Sequence, residues 1–256
     1  MIIAVTNTKG GVGKTTTAVN LAAMLANRNR RTLLIDLDPQ AHATRCFLPY
    51  TENDQPVELE RDVCDLIMDK PSLAARAIMH TETPNLDIVP ATDRLTETAE
   101  LLSTRIRREE RLTRALEPIV DGYRDIIIDC PPVLGILAYN AFVAANLLLV
   151  PVQPGVGAIN GLDTLIEAAG ELREEDNVSY RLFWTMFNVR TTRTNAIVEE
   201  LLEDHQRHVL KSVVSKSESL NQANLAGIPI TQYASTSRGA QEYHALCDEL
   251  LTVKVR

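Results

Sequence analysis

The residues best suited to chemistry stand near the start of the chain, in Thr8-Lys9-Gly10-Gly11-Val12-Gly13-Lys14-Thr15-Thr16. Glycines at 10, 11 and 13 let the backbone curl until its N–H groups converge on an anion, and a helix opening near Lys14 adds the positive end of its dipole. The spacing G-x-x-x-x-G-K-[ST] closes correctly at Gly13-Lys14-Thr15, with Thr8 where the pattern has its first glycine. Such a loop cradles nucleotide phosphates: Lys14 reaches the β- and γ-phosphates, and the Thr15 hydroxyl ligates Mg²⁺. A chance glycine turn before a helix is the competing reading. It is disfavoured because a buried strand, the glycines, Lys-Thr and an amphipathic helix follow one another in register. Lys9, a second cation beside the glycine pair, has no role in that pattern.

A magnesium-phosphate site also needs carboxylates at the ends of neighbouring strands. The runs "LLIDLD" and "IIIDCPP" supply Asp36, Asp38 and Asp129. An aspartate at a strand end is by default a turn residue. Beside a phosphate loop, Asp129 fits the Walker B residue that holds Mg²⁺. Asp38, on the loop after its strand, is placed to orient or activate a water near the γ-phosphate, and joins Thr15 and Asp129 as a metal-side residue. Asp36 lies inside the strand and reads as structural.

Elements must place these groups together. Short apolar runs at 2–7, 32–37, 86–90, 125–130, 147–152 and 182–187 read as strands buried on both faces, as a parallel sheet requires. Segments of helical period at 14–28, 61–68, 93–102, 105–117, 158–174, 194–206 and 237–251 supply the crossovers. The expected fold is α/β, a doubly wound, mostly parallel sheet flanked by helices, in one domain over 1–256. With 45% hydrophobic residues in 256, the chain is long enough to bury a sizeable core. The polar stretch 48–61, with two prolines, reads as a surface excursion.

A formal charge of −8 excludes a chain coated in positive charge, so any nucleic-acid contact must come from a local basic patch. Cys46, Cys64, Cys130 and Cys247 are scattered, which suggests neither a zinc site nor a disulfide framework and fits a reducing cytosol. The opening "MIIAVTNTKGG" lacks the charged and apolar regions of a signal peptide, and no apolar run approaches the roughly 20 residues that span a bilayer. A cytoplasmic protein with no stable membrane insertion is expected.

With these segments in place the chain resembles the ParA family of deviant Walker A ATPases, within the wider ParA/MinD group. The likeness rests on "KGGVGKTTTAVNLA" (9–22), "LLIDLDPQAHAT" (33–44), "DIIIDCPPVLGILAYNA" (125–141), "LLVPVQPGVGAINGL" (148–162) and "GIPITQYASTSRGAQEY" (227–243). It implies a P-loop NTPase that binds ATP and Mg²⁺ and forms a homodimer on ATP binding. In that dimer Lys9, the family's signature lysine, crosses the interface to the partner's phosphates, as an arginine finger would. A solvated loop lysine is the alternative. Asp38 matches the hydrolysis-supporting aspartate of "DxDPQ", Gln40 and Thr16 join Gly10, Gly11, Val12 and Gly13 around the nucleotide, and Gly10 sits where the interface is tight. Around the base the resemblance points to Met186, Asn188 and Arg190, while a strand-end turn at Asn188 accounts equally for those residues.

The resemblance further implies binding of double-stranded DNA without sequence preference, nucleoid association, and a cargo-bound adaptor that stimulates ATP hydrolysis. The cargo would be a plasmid, a chromosome or a protein organelle such as a carboxysome. Arg190, Arg193, Arg207, Lys211, Lys216 and Arg238 are the available cations, either as one patch or as dispersed surface charge. The chain departs from the family at "VVSKSESLNQA" (213–223), where Lys216 takes the arginine position and Gln222 the acidic one. Arg107, Arg111 and Arg114 fall on one face of a helix in "RIRREERLTR", which reads as a solvated, salt-bridged surface. A MinD-like membrane-associated ATPase is the alternative function. It needs a basic and bulky amphipathic C-terminal helix, whereas the chain ends "ELLTVKVR". An iron–sulfur reductase would need more than Cys130. Because the phosphate loop starts within ten residues of Met1, no N-terminal helix-turn-helix domain is expected.

Overall fold

A computed structural model describes residues 1–48, 59–155, 157, 160–174 and 178–254. Most of the polar stretch 48–61 lies outside the described residues. The six apolar runs all form strands: β1 (Ile2–Val5), β2 (Thr32–Asp36), β4 (Leu86–Val89), β5 (Asp125–Asp129), β6 (Leu147–Val152) and β7 (Tyr180–Phe187). Two more, β3 (Met79–His80) and β8 (Val209–Ser215), flank them. The order β3-β4-β2-β5-β1-β6-β7-β8 is parallel throughout except for the antiparallel β3–β4 pair. From β1 the chain runs outward to β2 on one side and later to β6 on the other, so a crevice opens at the carboxyl end of β1.

Helices cover both faces. One layer holds α1 (Lys14–Asn27), α2 (His42–Arg45), α9 (Glu218–Ala226), α10 (Ile230–Tyr233) and α11 (Arg238–Leu250), with Met24, Leu25, Tyr243 and Leu246 fully buried against the sheet. The other holds α3 (Val63–Met68), α4 (Arg94–Ser103), α5 (Arg111–Leu116), α6 (Ile136–Ala144), α7 (Leu162–Arg173) and α8 (Thr192–Leu201). Central strands are apolar on both faces because both are covered, as in Ile126, Ile127 and Ile128 of β5, each at most 1% exposed.

The basic run at 105–114 is not one helix. Arg107 has a positive φ of 53° and precedes a 3-10 turn (Arg108–Glu110), so Arg107, Arg111 and Arg114 share no continuous face. Arg111 turns inward and donates to the carbonyls of Ile67, Met68 and Asp69 at 2.8, 2.9 and 3.2 Å, closing the C-terminus of α3. Arg114 pairs with Glu110 at 2.9 Å, as a solvated helix surface would. Among the described residues, no helix is long and apolar enough to cross a membrane.

Candidate phosphate and metal site

The glycine loop lies in the crevice between the end of β1 and the start of α1. Asn7, 7% exposed, donates to the carbonyl of Pro151 on β6 at 2.7 Å and accepts the Lys9 N–H at 2.9 Å, so the loop leaves β1 in a fixed direction. Gly13 is the residue before α1 and has φ +87°, a left-handed conformation that a side chain would strain. The Gly13 carbonyl accepts from both the N–H and the hydroxyl of Thr17, at 2.9 and 2.7 Å, which sets the axis of the first turn.

Lys14 is 6% exposed, and its ammonium donates to the Lys9 carbonyl at 3.0 Å. Burial lowers its pKa from the ordinary lysine value, against the raising effect of the nearby Asp129 carboxylate. Lys9 is itself half-buried. Thr8, in the place of the pattern's first glycine, donates to the Asn160 carbonyl at 3.3 Å and stands directly over Gly161.

Buried carboxylates at the ends of β2 and β5 face this loop. Asp36 and Asp129 are register partners on adjacent strands, and Val5 is the partner of Asp129 on β1. Asp36 is structural: it accepts the N–H and hydroxyl of Thr44, both at 2.8 Å, and the Asp38 N–H at 3.1 Å, anchoring α2 and the loop before it. Burial raises its pKa to about 6 despite those bonds. Asp129 is equally buried, yet neither of its oxygens has a hydrogen-bond partner among the described residues. Burial first, then the Asp36 carboxylate, pushes its pKa well up, and the nearby Thr15 hydroxyl offsets this only in part.

Two orphaned, buried carboxylate oxygens beside a threonine hydroxyl form a hard oxygen donor set, which suits a cation such as Mg²⁺. Asp38 is half-buried and accepts the Gln40 N–H at 3.0 Å, a local turn that holds its carboxylate at the rim of the crevice. Cys130 is fully buried, its thiol raised well above its ordinary value by burial and then by Asp129. Among the described residues there is no group of three or more metal-ligating His, Cys, Asp or Glu side chains.

At the carboxyl end of β7, Met186 is 37% exposed with φ +48° and lines a small cavity of about 60 Å³ with Gly13, Thr16, Ser217 and Tyr243. The strand-end turn at Asn188 is real: its side-chain oxygen accepts the Arg190 N–H at 3.0 Å, and its carbonyl accepts from Thr191 and Asn195. Asn188 therefore serves the turn into α8 whatever else its amide does. Arg190, Lys216 and Arg238 line a neighbouring cavity of about 250 Å³. Arg193 is exposed in the first turn of α8. Lys211 does not join them, since it lies on β8 about 16 Å back along the strand from Lys216. Arg207 sits in a 3-10 turn (Glu203–His208) before β8.

Sequence reasoning missed Thr185, Ser215, Leu220 and Tyr243 around these cavities. The Lys and Ser within "VLKSVVS" hid the strand β8 that brings Ser215 there. A further cavity of about 630 Å³, between α1, α2 and α9, opens beside Thr15 and Thr16.

Residues 1–182 match the family model AAA_31, described as an AAA domain. The sporulation initiation inhibitor protein Soj of Bacillus subtilis is 38% identical over 252 residues, covering 97% of each chain. The chromosome partitioning protein ParA of Myxococcus xanthus is 38% identical over 254 residues, covering 98% of this chain and 87% of the relative. Among solved structures, cobyrinic acid a,c-diamide synthase from Mycobacterium smegmatis with bound ATP analog and magnesium superposes with a TM-score of 0.77 at 29% identity, covering 98% of this chain and 93% of that one.

Proposed function

The chain belongs to the ParA family of P-loop ATPases, and from that premise we propose that it is a nucleotide-switched partitioning ATPase. ATP with Mg²⁺ closes a homodimer, the dimer holds double-stranded DNA without sequence preference, and an adaptor on a cargo stimulates hydrolysis and release. The observation that carries this reading is Asp129 beside a formed phosphate cradle, a buried carboxyl with no hydrogen-bond partner among the described residues.

Thr15, Asp38 and Asp129 would hold Mg²⁺, which supplies charge neutralisation on the phosphate oxygens. Lys14 exchanges the Lys9 carbonyl for a phosphate oxygen, a neutral acceptor for a charged one. That exchange frees the Lys9 carbonyl while Asn7 keeps the Lys9 N–H, and the Lys9 ammonium then reaches the partner's phosphates. Asp38 orients the attacking water. Gly10, Gly11, Val12, Gly13 and Thr16 present the cradle, Gln40 braces the Asp38 turn, and Met186 with Asn188 bounds the base. Arg190, Lys216 and Arg238 make the core of the DNA surface, with Arg193 beside them. Lys211 contributes only where a duplex extends along β8.

The apolar stripe of α11 is occupied, with Tyr243, Leu246 and Leu250 buried, and gives no support to a membrane-lying helix. The protein then acts in the cytoplasm on the nucleoid, and the cargo, whether plasmid, chromosome or organelle, is set by the adaptor. The test is mass in solution and affinity for a random DNA duplex, each measured with ATP, ADP and no nucleotide. A dimer and salt-sensitive DNA binding are expected with ATP only; equal DNA affinity in all three states rejects the switch.

A further inference from the structure

The phosphate loop is held from outside by one buried hydroxyl. Thr185 of β7, 2% exposed, donates through Oγ1 to the carbonyl of Val12 at 2.8 Å, across 173 residues of sequence. Val12 is itself 1% exposed. In a trans peptide the carbonyl of one residue and the N–H of the next lie in one plane and point in opposite directions. Thr185 therefore fixes the Gly13 N–H as well, aiming it away from β7. The next plane is fixed too, since the Gly13 carbonyl accepts from the N–H and hydroxyl of Thr17.

The need for a clamp follows from Gly13. Rotation of the Val12–Gly13 plane changes φ of Gly13, and a glycine accepts either sign of φ at little cost. The freedom that permits φ +87° also permits the plane to flip. A flipped plane turns a carbonyl oxygen, instead of an N–H, toward an anion in the loop.

We propose that Thr185 is a positioning residue of the phosphate cradle, holding the Val12 carbonyl back so that the Gly13 N–H faces the nucleotide phosphates. The proposal rests on the nucleotide-binding reading given above. Met186, the next residue on β7, lines the small cavity together with Gly13 and Thr185, so the strand that borders the base side also sets the phosphate side.

The experiment compares the wild-type chain with Thr185→Val, which keeps the shape and removes the hydroxyl, and Thr185→Ser, which keeps the hydroxyl. Equilibrium dissociation constants for Mg·ADP and for inorganic pyrophosphate are measured well below each protein's unfolding temperature. About tenfold weaker binding of both ligands is expected for the valine variant, with near-wild-type values for serine. If the valine variant does not fold, Thr185→Ala takes its place in the same comparison. Unchanged affinities overturn the proposal, since a purely structural hydroxyl would lower only the unfolding temperature. Loss of ADP affinity with pyrophosphate affinity intact also overturns it, by placing the effect on the base side. A wild-type chain that takes up neither ligand overturns the nucleotide reading itself.

Discussion

Among the buried aspartates, hydrogen-bond partners set Asp129 apart from those that build the fold. Asp125 is fully buried and receives both Nε and a terminal nitrogen of Arg30, at 2.5 and 2.9 Å. Asp36 is satisfied by Thr44 and Asp38, and Asp62 by the N–H of Cys64 in the cap of α3. Asp129 has the same burial and no hydrogen-bond partner among the described residues, so the nucleotide-free fold bears most of its desolvation cost. Asp129→Asn should therefore raise the stability of the nucleotide-free protein by about 1 kcal/mol or more. The same variant should lose most of the further stabilisation that Mg·ATP gives the wild type by binding the folded state. Calorimetry with and without Mg·ATP checks both halves, and a variant that is less stable when empty contradicts the argument. At this scale Lys14, Thr15 and Asp129 were legible in the sequence because their chemistry sets local spacing. Thr185 was not, because its bond to Val12 depends on how two distant strands come together.

Elements show the same division between local and distant causes. The six apolar strands were legible because burial on both faces makes them continuous hydrophobic runs. Helix α6, "ILAYNAFVA", was missed because it is apolar nearly all round and buried, which erases the helical period. Strand β8 was missed for another reason: it is an edge, and its free N–H groups are covered by carboxylates of α11 and not by a further strand. Glu249 accepts the N–H groups of Lys211 and Ser212, both at 2.8 Å, and Glu242 accepts that of Ser215 at 2.7 Å. Burial opposes ionisation of Glu249, but the bonds from Ser212 and Lys211 outweigh it and lower its pKa. A depressed carboxylate stabilises the fold above its unfolded pKa, and that contribution is lost as pH falls through the lower folded value. Glu249→Gln should thus cost about 1 kcal/mol at neutral pH, the exposure of the group tempering the effect. The gap to wild type should narrow below the ordinary glutamate value of about 4.3 in denaturant titrations. A second element-level constraint joins the phosphate loop to α7. A Cβ on Gly161 would come within 2.6 Å of Thr8 Oγ1, at φ +82°. Gly161→Ala should cost about 2 kcal/mol, of which Thr8→Gly in the double variant recovers the steric part and leaves the backbone strain of about 1 kcal/mol.

For the whole molecule the unexplained feature of the loop is Gly10. Gly10 is exposed, lacks a positive φ, and a Cβ built on it would meet no described atom within 4 Å. Among the described residues nothing requires glycine there, in contrast to Gly13, whose φ of +87° does. Lys9 poses the matching puzzle, since the phosphate-loop pattern gives its lysine role to Lys14 and none to Lys9. Both are accounted for if a second copy of the chain packs against this face of the crevice. Gly10→Val, which keeps the backbone N–H that the cradle uses and whose added atoms start in open space, should then leave the unfolding temperature and nucleotide affinity of the monomer close to wild type, while abolishing the ATP-dependent doubling of mass expected in light scattering. DNA binding should fall with it, because cations such as Arg190, Lys216 and Arg238 on an acidic body gain reach only when two copies present them together. A variant that still dimerises with ATP would move the interface away from the glycine loop, and with it the role given to Lys9. A variant that fails to bind nucleotide as a monomer would instead place a requirement for Gly10 inside the cradle.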